Sequence, residues 1–251
     1  MQLLDLAKVK IVEILCPFTQ FEKPELMSIF SKVLAMRKQG YSSRHQMNAL
    51  PVDTYDFIGN HYLITAPSEN GTRVLGGYRT VSLNGAKHFN LTFPLKNLLV
   101  SANATTHLKA LDDRLGARGN EQREFTYVSS WTNDPALRED RNVSRFLLDL
   151  VTTMNVYSQA ENPNQYRFAC GVPRLKTEKY IQWLGYKPIQ DGQESLPEVN
   201  QANLCGEPVL VHELPEGHSK EAFEIAAKYR TYWENRSQLG VEDRHAEKAV
   251  A

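Results

Sequence analysis

The fold of this chain is decided between Glu124 and Val172, EFTYVSSWTNDPALREDRNVSRFLLDLVTTMNVYSQAENPNQYRFACGV. EFTYVSSW (124–131) is dense in β-branched and aromatic residues and reads as a strand. Val143, Phe146, Leu147, Leu150, Val151 and Met154 then recur at the spacing of one helix face, and YRFACGV (166–172) is a second short apolar strand. Beyond it, TEKYIQWLGYKPI (177–189) reads as a short helix closed by Gly185, and PVLVHEL (208–214) as a last strand. Strands alternating with helices predict an α/β sheet with helices on both faces.

Upstream, Leu26, Ile29, Phe30, Val33 and Leu34 follow Pro24 in a helical stripe that the spacing closes at Gly40. HYLITA (61–66) and TRVLGGYRTVS (72–82) read as strands, and the Asn70-Gly71 pair between them suits a tight antiparallel turn. From about 84 to 120 no period wins, so helix and strand stay open there. Ser219 is a cap for a helix running to about Asn235 with an apolar face of Phe223, Ile225, Ala226, Tyr229 and Trp233, after which LGVEDRHAEKAVA (239–251) is expected to fray. No internal repeat or linker interrupts the chain. The expectation is a single domain over 1–251 with a C-terminal helical appendage from about 219.

Composition removes several classes of function. The 251 residues carry 29 basic and 29 acidic side chains, a balance that argues against a nucleic-acid partner, and 41% apolar residues are enough for a core. No apolar run approaches the roughly 20 residues that cross a bilayer. The first segment, MQLLDLAKVKIVEILCPF, is broken by Asp5, Lys8, Lys10 and Glu13 and lacks the pattern of a secretory signal, so a cytoplasmic location is expected. Cys16, Cys170 and Cys205 are too few and too scattered for a disulfide framework or a zinc site; Cys170, on a central strand, is the one candidate nucleophile among them. The seven histidines form no metal-ligand spacing, so no metal is expected, and His61 and His212 on predicted strands read as hydrogen-bonded core residues. Phosphate-binding G-x-x-x-x-G-K-[ST], dinucleotide G-x-G-x-x-G and hydrolase G-x-S-x-G are all missing.

Two carboxylates three residues apart ahead of a strand, Asp53 and Asp56, can hold an ammonium group or be neutralised by arginine. Arg79, on a predicted inner strand, needs such a partner if buried, so an Arg79 pair with Asp53 or Asp56 is expected. With these residues in view, PVDTYDFIGNHYLIT (51–65) followed by VLGGYRTVS (74–82) resembles the acyl-homoserine lactone synthases and the related N-acyl amino acid synthases of the GNAT acyltransferase superfamily. Arg37 and Tyr41 fit that family's Arg-x-x-x-aromatic element, Asp53 and Asp56 its paired carboxylates, and Gly76, Gly77 and Arg79 its glycine-arginine strand. The match is good over about 26–82 and is one of order alone beyond, where YVSSWTNDPALRED (127–140) and IQWLGYKP (181–188) stand for the fourth strand and a late helix.

The resemblance implies a GNAT-like mixed sheet with splayed central strands and a direct N-acyl transfer. An acyl-phosphopantetheine donor, on an acyl carrier protein or on CoA, would give its acyl chain to a small primary amine such as an amino acid. Arg37 and Tyr41 are then implied on the substrate side, and Asp53, Asp56 and Arg79 around the amine. Two departures are visible. Val128 and Trp131 occupy places where the lactone synthases carry Glu and Arg, so Glu124, Tyr127, Ser129 and Ser130 become candidates for that chemistry, with backbone amides near Ser129 and Ser130 polarising the carbonyl. Arg138 stands where the superfamily has a phosphate-binding residue, but Arg141 and Val143 replace the glycines; Trp131, Arg138, Arg141, Arg145 and also Arg174 are the residues assigned to the donor or to an acidic carrier. An acetyl-CoA-dependent enzyme and a catalytically silent binding module of the same fold are the alternatives.

Overall fold

The computed structural model describes residues 4–45, 52–69, 71–117, 122–204 and 206–240. In chain order the strands are β1 Lys10–Ile14, β2 Asn60–Ser68, β3 Gly71–Ser82, β4 Glu124–Asn133, β5 Gln165–Gly171, β6 Lys187–Pro188, β7 Gln190–Asp191, β8 Glu194–Ser195, β9 Val199–Gln201, β10 Glu207–Leu214 and β11 Ser237–Leu239. The helices are α1 Pro24–His45, α2 Tyr55–Ile58, α3 Leu83–His88, α4 Pro94–Ser101, α5 Thr105–Gly116, α6 Arg141–Ala160, α7 Thr177–Trp183, α8 Lys220–Lys228 and α9 Arg230–Glu234. One mixed sheet runs in the order β11-β1-β2-β3-β4-β5-β10-β6, with β9 on β10 and β7–β8 a separate small ribbon.

Alternation along the strands sorts side chains to two faces. Ile11, Tyr62, Ile64, Leu75 and Tyr78 pack with Leu147, Leu150, Val151 and Met154 of α6. Val12, Ile14, Leu63 and Val74 pack with Leu26, Phe30, Val33 and Met36 of α1 on the opposite face. Met154, fully buried, is the kind of core side chain whose truncation to Ala costs about 2–5 kcal/mol.

Among the described residues, the only parallel neighbours of the central strands are β4 and β5, and their ladder is short. It pairs Glu124 with Gln165 and ends at Val128 opposite Ala169, while β4 continues five residues to Asn133. On its other side β4 pairs with β3, Arg79 opposite Ser129 and Gly77 opposite Thr132, so β4 holds one residue more than β3 in that interval. The extra residue is a bulge at Ser130, whose φ of 58° is left-handed. Bulge and early end of the ladder together open the sheet beyond Val128.

Several expectations are corrected. The first helix runs through Gly40 to His45, because Gly40 faces Thr132 of β4, where an added side chain would collide with that threonine. The unassigned middle is helical, with α3, α4 and α5 covering β4 and β5 through Leu95, Leu99, Ala110 and Leu111. The charge-broken N-terminal segment supplies β1, whose Ile11 and Ile14 are fully buried. The C-terminal helix breaks at Tyr229 into α8 and α9, and residues 237–239, the last of them counted with the fraying tail, return as β11 beside β1. Phe223 of its expected apolar face is 46% exposed, whereas Ala226 and Trp233 are buried. Asn70 of the hairpin turn, Cys205 and 241–251 lie outside the described residues.

Candidate active site

The two motifs that flank residues 46–51 meet as one buried charge network. Arg37 from α1 pairs with Asp56 of α2, and Arg79 from β3 reaches Asp56 Oδ1 at 2.7 Å and Asp53 through two bonds of 2.5 and 3.2 Å. Asp53 N–H donates to Asp56 Oδ2 at 3.1 Å, closing the turn between the carboxylates. His61 completes the group: its Nε2–H donates to the Asp56 carbonyl at 2.7 Å, so Nδ1 accepts from Arg37 Nη2 at 3.2 Å. Arg37, Asp56, His61 and Arg79 are each 3% exposed or less, while the Asp53 side chain is 40% exposed.

Two guanidinium groups and two carboxylates sum to zero. Burial works against the Asp56 carboxylate, but Arg79, Arg37 and His61 outweigh it and hold its pKa below the ordinary value. Burial likewise opposes the charge on Arg79, and Asp56 and Asp53 reverse that and raise its pKa. His61 stays neutral, lowered to about 3 by burial and by the Arg37 charge, as its acceptor role at Nδ1 requires. A protonated ring would place a third cation in a sealed cluster.

Asp53 and Arg79 face a cavity of about 830 Å³ that passes through the opening between β4 and β5. On the α1 face it is walled by Tyr41, Thr92, Asn97 and Leu98; on the α6 face by Val151, Asn155, Tyr180 and Leu184. This volume is in the range of a pocket that encloses an extended small molecule. Ser129, opposite Arg79, belongs to the α1 face, and the bulge turns Trp131 to the other, where its ring lies 4.8 Å from that of Tyr180. Ser129 Oγ, Trp131 Nε1 and Arg79 Nε are buried polar atoms in this wall without a hydrogen-bond partner among the described residues. Leaving each unpaired costs about 1–3 kcal/mol, a cost that ligand atoms bonded to them would offset.

The structure separates the remaining sequence candidates. Tyr41, Ser129, Ser130, Trp131 and Arg138 line the cavity with Asp53 and Arg79; Arg37 and Asp56 stand behind them. Glu124 sits at the far end of β4, bound to the backbone N–H and side chain of Asn84, roughly 16 Å along the strand from Ser129. Arg141 is exposed, and Arg145 pairs with Asp149 at 3.0 Å on an open helix face. Arg174 is bound to Glu207 by two 2.8 Å bonds and to the Arg44 carbonyl. The start of α6 already holds an anion: Asp140 Oδ1 accepts from the N–H groups of Asn142 and Val143 at 3.0 and 3.1 Å, so these donors are not presented to a phosphate. Cys170 lines the cavity, but burial pushes its thiol up to about 12, which keeps it protonated and unsuited to nucleophilic attack.

Sequence reasoning did not find His61 as part of the charge network, nor Arg44 and the α4 wall as part of the cavity. His61 carried a signal, since a histidine five residues after Asp56 at a strand start can reach that turn. Among the described residues no group of three or more His, Cys, Asp or Glu side chains has metal-binding geometry, and no helix is long and apolar enough to cross a membrane.

A mixed sheet split between two parallel central strands, with a long helix entering after the first of them, defines a GNAT-like fold, the architecture of the acyl-homoserine lactone synthases. The CoA-dependent acyl-homoserine lactone synthase BjaI, solved with SAM and isopentyl-CoA, matches at TM-score 0.57 and 13% identity over 96% of this chain and 98% of that one. FeeM, an N-acyl amino acid synthase from uncultured soil microbes, matches at 0.51 and 14% over 90% of this chain and all of that one, and the lactone synthase LasI at 0.50 and 13% over 82% and 87%. At these identities the likeness is one of fold. No protein-family model and no curated protein sequence matches the chain.

Proposed function

We propose that the protein is an N-acyltransferase that moves an acyl chain from a phosphopantetheine thioester to a primary amine by direct attack. The observation that carries this reading is the cavity through the β4–β5 opening, with a carboxylate–guanidinium pair on one face and apolar walls on the other. The ladder that ends at Val128 leaves the β4 edge from Ser129 onward free to receive the amide-bearing arm of the donor. Its acyl chain suits the side lined by Val151, Tyr180, Ile181 and Leu184.

The amine enters on the Asp53 and Arg79 side. Asp53, exposed enough to meet a ligand, accepts a hydrogen bond from the ammonium and orients it, and Arg79, Asp56, Arg37 and His61 hold that carboxylate in place. After a proton passes to water, the amine nitrogen forms a bond to the thioester carbonyl carbon. The developing oxyanion is supported by backbone N–H groups at the Ser130 bulge and by the unpaired Ser129 hydroxyl. Collapse breaks the C–S bond, the adduct nitrogen loses its second proton to give the neutral amide, and the departing thiolate takes up a proton to leave as the thiol. No enzyme nucleophile is needed, in keeping with the protonated Cys170.

The test is to incubate the purified chain with acyl-CoA and acyl carrier protein thioesters of several lengths and a pool of amino acids and small amines. An acylated amine found by mass spectrometry, with matching thiol release, is expected. Its absence with every donor, in a folded protein, would instead favour a silent binding module of this fold. The capped start of α6 favours a carrier-protein donor over CoA, and comparing KM for the same acyl group on each carrier decides between them.

A further inference from the structure

On its α6 side the cavity is apolar along the walls, at Val151, Ile181 and Leu184, and three further lining residues, Tyr78, Asn155 and Tyr186, converge on one buried cation. That cation is Arg167 of β5, 1% exposed. Its guanidinium donates to the Asn155 carbonyl at 2.9 Å, to Ser158 Oγ at 3.1 Å and to Gln165 Oε1 at 2.9 and 2.7 Å. Ser158 Oγ in turn meets the Tyr78 hydroxyl at 3.3 Å. These partners are neutral, and among the described residues no carboxylate pairs with Arg167. Arg167 stands opposite Thr126, three residues before Ser129 on β4, so this polar cluster lies about 10 Å down the strand from the place assigned to the thioester carbonyl.

Tyr186 is the member of the cluster with an unmet bond. It is 3% exposed, and its hydroxyl has no hydrogen-bond partner among the described residues. Burial pushes that hydroxyl up to about 12, and the nearby Arg167 charge only partly opposes the rise, so it is a neutral O–H at neutral pH. Arg167 cannot satisfy it, because a guanidinium only donates and the Tyr186 proton needs an acceptor. His218, whose ring lies 6.0 Å from that of Tyr186, has both nitrogens turned to the carbonyls of Leu184 and Asn155. Val156, Ala169 and Leu214 pack with the ring and fix its direction. The other unpaired donor on this side, Trp131 Nε1, is two residues from Ser129 and lies beside the thioester itself. A plain hydrocarbon chain laid along these walls would end against an unsatisfied donor, whereas an oxygen at that depth accepts its proton. We infer that the acyl group carries an oxygen function, a hydroxyl or a carbonyl, at its far end, and that Tyr186 is the residue that selects it. This rests on the acyltransferase reading for the acyl group itself, but binding alone tests it.

The full chain is titrated calorimetrically with pantetheine thioesters of hexanoic, octanoic and decanoic acid, and with the thioester of the ω-hydroxy acid of each length. At the length that fits best, the ω-hydroxyacyl thioester should bind roughly ten- to hundredfold more tightly than the plain one, the range expected when a buried donor gains its partner. Tyr186→Phe should erase that preference. The same change should leave the melting midpoint equal or higher, because it keeps the ring and deletes a hydroxyl with no partner among the described residues. Equal or weaker binding of the ω-hydroxy chain at every length overturns the inference. So does a preference that survives Tyr186→Phe, a β-hydroxyoctanoyl thioester bound better than its ω isomer, or a loss of stability in Tyr186→Phe, which makes the hydroxyl a structural group. The two readings fail separately. An ω-hydroxy preference with no amide formed keeps the Tyr186 site and sinks the enzyme reading; acyl transfer with equal kcat/KM for plain and ω-hydroxy donors does the reverse. Failure to bind any thioester up to roughly 1 mM sinks both.

Discussion

Replacing Asp56 by Asn tests the buried network at its most connected atom. The side chain is 1% exposed, pairs with Arg37, and holds Arg79 Nη1 at 2.7 Å. Asparagine keeps the shape and removes the charge. Arg79 retains Asp53, but Arg37, 2% exposed, is left with neutral His61 as its neighbour. Stranding one buried charge in this way costs about 3–5 kcal/mol. For a chain of this size each kcal/mol moves the melting midpoint by about 2–4 °C, so Asp56→Asn should lower it by roughly 6–20 °C. Urea unfolding followed by circular dichroism gives the free energy directly. The double variant Arg37→Met/Asp56→Asn removes the stranded charge as well and should recover at least about 2 kcal/mol relative to the sum of the single losses. A single variant that loses less than about 1 kcal/mol, or two losses that simply add, would refute the claim that Asp56 exists to neutralise Arg37.

Further outcomes follow from the same geometry. Ser129→Ala should lower kcat/KM about tenfold while leaving the melting midpoint equal or higher, since it deletes a buried hydroxyl that has no partner among the described residues; a fall in stability would contradict that role. His61 has a folded pKa lowered from 6.5 to about 3, so its stabilising contribution is whole above about pH 6.5 and is lost as pH falls toward 3. Urea midpoints measured across that window should show His61→Asn with a shallower acid limb than the parent chain, on which His218, lowered to about 4, still acts. Cys170→Ser should retain acyl transfer within about threefold, because the thiol is protonated at neutral pH; loss of all activity in a folded variant would restore a covalent step.

Much of the fold was legible because its signals are local. The α6 stripe from Val143 to Met154, the short apolar strand 166–172 and the alternation in 61–66 each state their own period, and each forms the element read from it. Of the middle helices, α3 and α4 were not legible, since they have six and eight residues, too few turns for a stripe to repeat. The N-terminal strand was hidden for another reason: Lys10 and Glu13 break its apolar run, and Glu13 is tolerated there because Arg236, from the far end of the chain, pairs with it.

In the candidate site, sequence by itself determined which chemical groups are present: paired carboxylates at Asp53 and Asp56, arginines at 37, 79 and 138, and serines on β4. It also predicted the Arg79 partnership with those carboxylates, because a charge on an inner strand cannot remain unpaired. Tertiary structure alone decided which of these groups share a space. The ladder end at Val128 and the left-handed Ser130 put Ser129 and Trp131 on opposite faces of one opening, and those are properties of strand pairing that no single strand encodes. The same packing removed Glu124, Arg141 and Arg145 from the cavity wall and brought Arg44 beside Arg138. Charge balance in a buried network is a chemical necessity that a sequence can announce, whereas the cavity that Asp53 and Arg79 face exists only once helix α1 lies against β4.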